Sequence, residues 1–102
     1  MASIFVMYKT PQDPAAFDNY YFETHVPIAK KIPGLQKYEV SSGSVATPAG
    51  PSGVHLIANL HFGDLAAIQN AFASEQGQAA GADVQKLATG GADILLFDTR
   101  EV

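Results

Sequence analysis

The sequence predicts an α+β fold: one antiparallel sheet with its helices on a single face, in the order β-α-β-β-α-β. Three observations carry this. Four runs have strand character, at residues 4–8, 35–41, 54–62 and 92–99. Helix-opening signals follow the first and third of them, at Asp13-Pro14 and at Asp64. Between the second and third lies a stretch too rich in Gly, Ser and Pro to be a helix.

The elements follow in chain order. Ile4 to Tyr8 is an uninterrupted apolar run whose β-branched and aromatic residues favour a strand. Asp13 then caps a helix with Pro14 at its first position. On a 3.6-residue wheel Phe17, Tyr21, Thr24, Ile28 and Ile32 form one stripe, with His25 on one edge and Tyr20 on the other. Pro27 supplies no N–H to the preceding turn and should kink or end the helix near its middle turns. Pro33-Gly34 stops it. A strand from about Leu35 to Ser41 precedes a loop, Ser42 to Gly53, that holds three Gly, two Pro and three Ser in twelve residues. It is long for a hairpin and could be a lid or a slack connector, and we expect the connector. Val54 to Phe62 alternates cleanly: Val54, Leu56, Ala58, Leu60 and Phe62 face one way, His55, Ile57, Asn59 and His61 the other. Asp64 caps a second helix with Leu65, Ile68, Ala71 and Phe72 on one face. Ser74 caps a further helical stretch to about Ala88, weakened by Gly77 and Gly81 and expected to be scaffold. Gly90-Gly91 precede a last strand, Ala92 to Thr99.

This is the ferredoxin-like split unit. Right-handed crossovers put the first and third strands in the centre of the sheet. Asp13 to Asn19 and Asp64 to Asn70 share four of seven residues, as two halves of a duplicated unit would. The 102 residues suit a single domain, 1–102, and 47% apolar residues suffice for a core. One consequence bears on function. The helices cover one sheet face, yet the first and last strands are apolar on both. An uncovered face would expose a larger apolar patch than soluble monomers tolerate. A second copy, sheet against sheet, is the simplest cover, giving a homodimer with the form of a dimeric α/β barrel.

Composition excludes several function classes. Six basic against ten acidic residues give a net charge of −4 with no basic patch, so no nucleic-acid partner is expected. No apolar run is long enough for a membrane span, and the first residues lack signal-peptide features. The absence of Cys removes thiolate and iron–sulfur chemistry and fits a cytoplasmic protein.

The candidate site residues are few. His25 sits beside the Pro27 irregularity with Tyr20 and Tyr21 one turn earlier, and a neutral imidazole suits acid–base work on an enolisable small molecule. His55, Asn59 and His61 share one strand face and, if unpaired, call for water, mutual hydrogen bonds or a polar ligand. His55 and His61 stand about 20 Å apart on an extended strand, too far to share one metal ion. No metal or other cofactor is expected; the spacing of the three His does not select for haem.

The run Phe17-Asp18-x-Tyr20-Tyr21-x-x-x-His25-x-Pro27, followed by Pro33-Gly34-Leu35-x-x-Tyr38, resembles the EthD family. So do Leu60-His61-Phe62-Gly63-Asp64 and the Ser74, Gly77 and Asp83 spacing before the final strand. The family is named for a member linked to ethyl tert-butyl ether degradation. The resemblance implies the same fold and homodimer, with His25 and Tyr38 as pocket residues and Tyr20 or Tyr21 nearby. The wider superfamily includes cofactor-free monooxygenases, isomerases, dehydratases and haem-related enzymes.

Three functions follow as expectations. The first is an enzyme on a small apolar organic molecule, an isomerase or a monooxygenase of activated phenols in catabolism of xenobiotics or of polyketide-type compounds. There His25 is the acid or base, Tyr38 and Asn59 orient an oxygen, and Tyr20, Tyr21, His55 and His61 complete the binding surface. The second is a non-catalytic ligand-binding or accessory protein. The third is a structural oligomer with a filled barrel.

Overall fold

The computed structural model describes every residue, Met1–Val102. Its elements are β1 (Ala2–Lys9), α1 (Pro14–Tyr20), a π-helical turn (Tyr21–His25), α2 (Val26–Ala29), β2 (Lys37–Val40), β3 (Ala46–Thr47), β4 (Gly50–Pro51), β5 (Val54–Phe62), α3 (Leu65–Ala73), α4 (Glu75–Leu87) and β6 (Ala92–Asp98). The main sheet is antiparallel in the order β2-β5-β1-β6. This is the ferredoxin-like fold, with the two longest strands in the centre.

The predicted caps form. Asp13 accepts from the Ala16 amide at 3.1 Å and Asp64 from that of Ala67 at 2.8 Å. The Ser74 hydroxyl accepts from the Gly77 amide at 2.9 Å. Each such cap stabilises its helix by about 1 kcal/mol. The core is built from one face of the sheet: Ala2, Ile4, Val6 and Tyr8 of β1 and Leu56, Ala58, Leu60 and Phe62 of β5. Phe17, Tyr21, Ile68, Ala71, Val84 and Leu87 close over them from the helices.

The first helix departs from the expected stripe. Pro27 does not stop it; the turn before Pro27 widens instead, and the Val26 amide bonds the Tyr21 carbonyl five residues back. A proline ring crowds the carbonyl four residues earlier, here that of Glu23, and a wider turn relieves the crowding. The extra residue shifts the inward face. Phe17, Tyr21, His25 and Ala29 are buried, whereas Thr24 is exposed and Ile28 only half-buried. His25 thus moves from the edge of the stripe to its centre.

Other expectations are corrected in detail. β2 is shorter than residues 35–41: the ladder with β5 runs from Lys37 to Val40, flanked by single backbone bonds from Gln36 to His61 and from Ser41 to Ile57. The 42–53 segment is not slack throughout: β3 and β4 pair within it, and the Ser52 hydroxyl donates to the Val45 carbonyl at 2.6 Å. On α3, Ile68 and Ala71 are buried but Leu65 and Phe72 are largely exposed. Gly77 does not merely weaken α4; a methyl there would collide with the Ala71 carbonyl, so the close approach of α3 and α4 requires glycine.

The second sheet face has no cover within the chain. Phe5 and Met7 of β1, Ile57 and Asn59 of β5, and Leu95 and Phe97 of β6 lie side by side on it by register. Phe5 and Phe97 meet edge to face at 5.1 Å. β6 is an edge strand, and Ile94, Leu95, Leu96 and Phe97 are all substantially exposed.

Candidate functional site

The π turn delivers His25 into the space between the helices and the sheet, where it is only 4% exposed. Its Nδ1 lies 2.7 Å from Oδ2 of Asp83 on α4, itself 8% exposed. The other carboxylate oxygen accepts from the Tyr20 hydroxyl at 2.5 Å. A carboxylate acceptor fixes the imidazole proton on Nδ1 and leaves the Nε2 lone pair to take another. Asp83 therefore orients the ring and would stabilise it when charged, the part a buried carboxylate plays beside a catalytic histidine.

His25 lines a cavity of about 60 Å³ whose wall is otherwise almost wholly apolar: Ile4, Val6, Ala58, Leu60, Ala71 and Val84 among others. Its few further polar atoms are tyrosine hydroxyls. Tyr21 and Tyr38 share a hydrogen bond, Oη to Oη at 2.5 Å. The Tyr21 ring lies between those of Tyr8 and His25, with centroids 5.6 and 5.1 Å away. Tyr8, only 1% exposed, has a buried hydroxyl with no hydrogen-bond partner. The phenols are held neutral. Burial pushes Tyr8 up, with help from Tyr38 and Asp83. Burial and then Tyr38 push Tyr21 up, and burial raises Tyr38. Tyr20 is raised chiefly by its bond to Asp83. The site thus offers one base and several O–H donors in an apolar setting. The cavity, at about 60 Å³, is far smaller than a porphyrin.

The remaining candidates lie elsewhere. Val54 pairs with Lys9 and Leu56 with Tyr8, so His55 is an extra residue, a β-bulge, which re-aims its side chain. Instead of joining Asn59, His55 reaches Asp18 of α1, Nε2 to Oδ1 at 2.8 Å, and packs edge-on against Phe17. His61 binds Glu39 on β2, Nε2 to Oε1 at 2.8 Å. That bond, followed by Lys37, holds the Glu39 carboxyl below its ordinary value. Asn59 pairs in register with Phe5 and Glu39 on the uncovered face, and its buried Oδ1 has no partner. Tyr38 pairs with Leu60 on the helix-covered face. Tyr38 and Asn59 therefore point to opposite sides of the sheet, and no ligand in this cavity touches both. No three His, Asp or Glu side chains gather as a metal site would require.

Two residues escaped sequence reasoning. Asp83 lay in a stretch read as scaffold, and its partner is 58 positions away. Its place in the Ser74–Gly77–Asp83 spacing was the one available signal. Tyr8 ended an apolar run and looked like ordinary core.

Fold and site together define a small ferredoxin-like α+β protein with an Asp-oriented histidine opening on an apolar cavity. The EthD domain model matches residues 9–91, and the chain belongs to the EthD family. It is 35% identical over 102 residues, 100% of this chain and 98% of the other, to an 11.0 kDa protein in the thcB–thcC intergenic region of Rhodococcus erythropolis. An EthD family protein of Bacillus halodurans has a crystal structure that superposes with a TM-score of 0.90, at 32% identity over 98% of this chain and 99% of that one. At the level of fold alone it is also similar to SnoaB, a cofactor-independent oxygenase from Streptomyces nogalater (TM-score 0.69, 15% identity, covering 99% and 94% of the two chains).

Proposed function

We propose that the chain is an acid–base catalyst for a small, mostly apolar organic molecule with an acidic C–H beside a carbonyl, or a phenolic O–H. The observation that carries this reading is the buried His25–Asp83 pair opening on an apolar cavity. His25 Nε2 takes the proton. Asp83 holds the imidazole in the required tautomer and stabilises the cation that forms. Tyr38, paired with Tyr21, and the other hydroxyls at the cavity favour the developing oxyanion. Removal of that proton is a first step common to isomerisation and to oxygenation without a bound cofactor. The active assembly is a homodimer closed through the uncovered sheet face, because Phe5, Ile57, Leu95 and Phe97 form an apolar patch of the kind soluble monomers avoid.

The test is proton–deuterium exchange at the carbon next to the carbonyl of small aryl and alkyl ketones, followed by NMR. Wild type should accelerate exchange, and His25→Ala should lose about 100-fold or more of that acceleration while keeping its circular dichroism spectrum. Exchange unchanged in His25→Ala refutes the role of His25. Ketones that bind without exchanging favour a non-catalytic binding protein.

A further inference from the structure

We propose that Tyr8 and Gly81 mark the two ends of a subsite that takes a ligand with a small carbonyl head and a larger apolar body. The inference deepens the functional reading above and rests on it.

The inner end is set by an unused donor. The hydroxyls of Tyr20, Tyr21 and Tyr38 all have partners, on Asp83 or on each other. Tyr8 lines the same cavity, and its buried hydroxyl bonds no other group of the chain. A neutral phenol left unsatisfied in an apolar wall costs stability that a ligand's oxygen would restore. Tyr8 needs an acceptor, and a carbonyl or an enolate oxygen supplies one.

The outer end is set by missing bulk. Gly81 lies inside α4, where glycine costs about 1 kcal/mol relative to alanine. Nothing in the chain requires it: a methyl built on Gly81 meets no atom within 4 Å. Gly77, one turn earlier, is the contrast, since a methyl there has no room. Both glycines line the cavity, so Gly77 serves packing and Gly81 leaves open space. Phe72 and Ile94, also on the cavity wall, are 42% and 45% exposed and form an apolar lip.

Size decides the ligand's shape. A cavity of about 60 Å³ has room for about two waters' worth of atoms. An acetyl-sized head fills it, with its oxygen on Tyr8 and its acidic C–H toward His25. The rest of the molecule must leave past Gly81 and lie across Phe72 and Ile94.

Benzylacetone, a methyl ketone with a phenethyl body, is the probe. Binding is followed by NMR titration, and the carbonyl contact by the infrared stretch of the 13C-carbonyl ketone. Wild type should bind it and move the stretch to lower frequency. Tyr8→Phe should weaken binding about three- to tenfold and return the stretch to its apolar-solvent position. Gly81→Leu, which fills the exit with a good helix former, should weaken binding more than tenfold in a protein whose melting temperature is not lowered. If Tyr8→Phe and Gly81→Leu bind as wild type does while His25→Ala still abolishes exchange, the subsite is wrong and the acid–base reading stands. If wild type does not bind benzylacetone, the subsite is wrong, and the acid–base reading is decided separately by exchange in the other small ketones.

Discussion

His25 and Asp83 stand 58 residues apart in the chain and 2.7 Å apart in the fold, a pair that ties the π turn to α4. Asp83 also holds Tyr20, so three side chains depend on one carboxylate. Removing a buried partner strands the other. Asp83→Ala should lose about 3 kcal/mol in urea denaturation. Asp83→Asn, which keeps the shape and an acceptor oxygen, should lose less but still slow ketone exchange, because the amide cannot stabilise the imidazolium.

All four tyrosines are raised above the usual phenol range. A folded-state value above the unfolded one favours the native protein below the ordinary phenol pKa near 10, and the benefit is lost as pH rises beyond it. Absorbance at 295 nm should therefore show little phenolate at pH 10. Phenolate should then appear together with unfolding, and Tyr8 and Tyr21 should each steepen the loss of stability by about 1.4 kcal/mol per pH unit. Smooth, fully reversible titration of four phenols around pH 10 would contradict the network.

The two glycines of α4 should answer the same substitution with opposite signs. Gly77→Ala has no room beside the Ala71 carbonyl and should cost about 2 kcal/mol or more. Gly81→Ala meets open space and should stabilise the helix by about 1 kcal/mol. Thermal melts of the two variants settle it.

The proposed dimer is open to sedimentation. Wild type at micromolar concentration should run as two subunits. Leu95→Glu, a charge set into the uncovered face opposite Phe5, should run as one with its secondary structure intact. A wild-type protein that sediments as a monomer would remove the barrel from the account.

Much of the architecture was legible because it rests on local signals. β5 begins and ends where its alternation does, and Asp13, Asp64 and Ser74 cap where side-chain chemistry says they should. The site was legible only in part. A wheel of fixed pitch cannot anticipate one residue too many in a turn, so His25 was set on an edge and Thr24 in its place. A strand of strict period two cannot anticipate a bulge, so His55 was grouped with Asn59 although it turns toward Asp18. Asp83 could not be paired with His25 because nothing local links them.

The wide turn at Tyr21–His25 also says how this pocket could be gained or lost. Replacing Pro27 by one substitution would remove the crowding that opens the turn, and a return to ordinary helical pitch with no residue removed would swing everything downstream round by about 100°. The imidazole would leave the interior for solvent while the sheet and caps stayed as they are. A lineage carrying this scaffold could thus silence or recover its chemistry in one small genetic step, without rebuilding the protein.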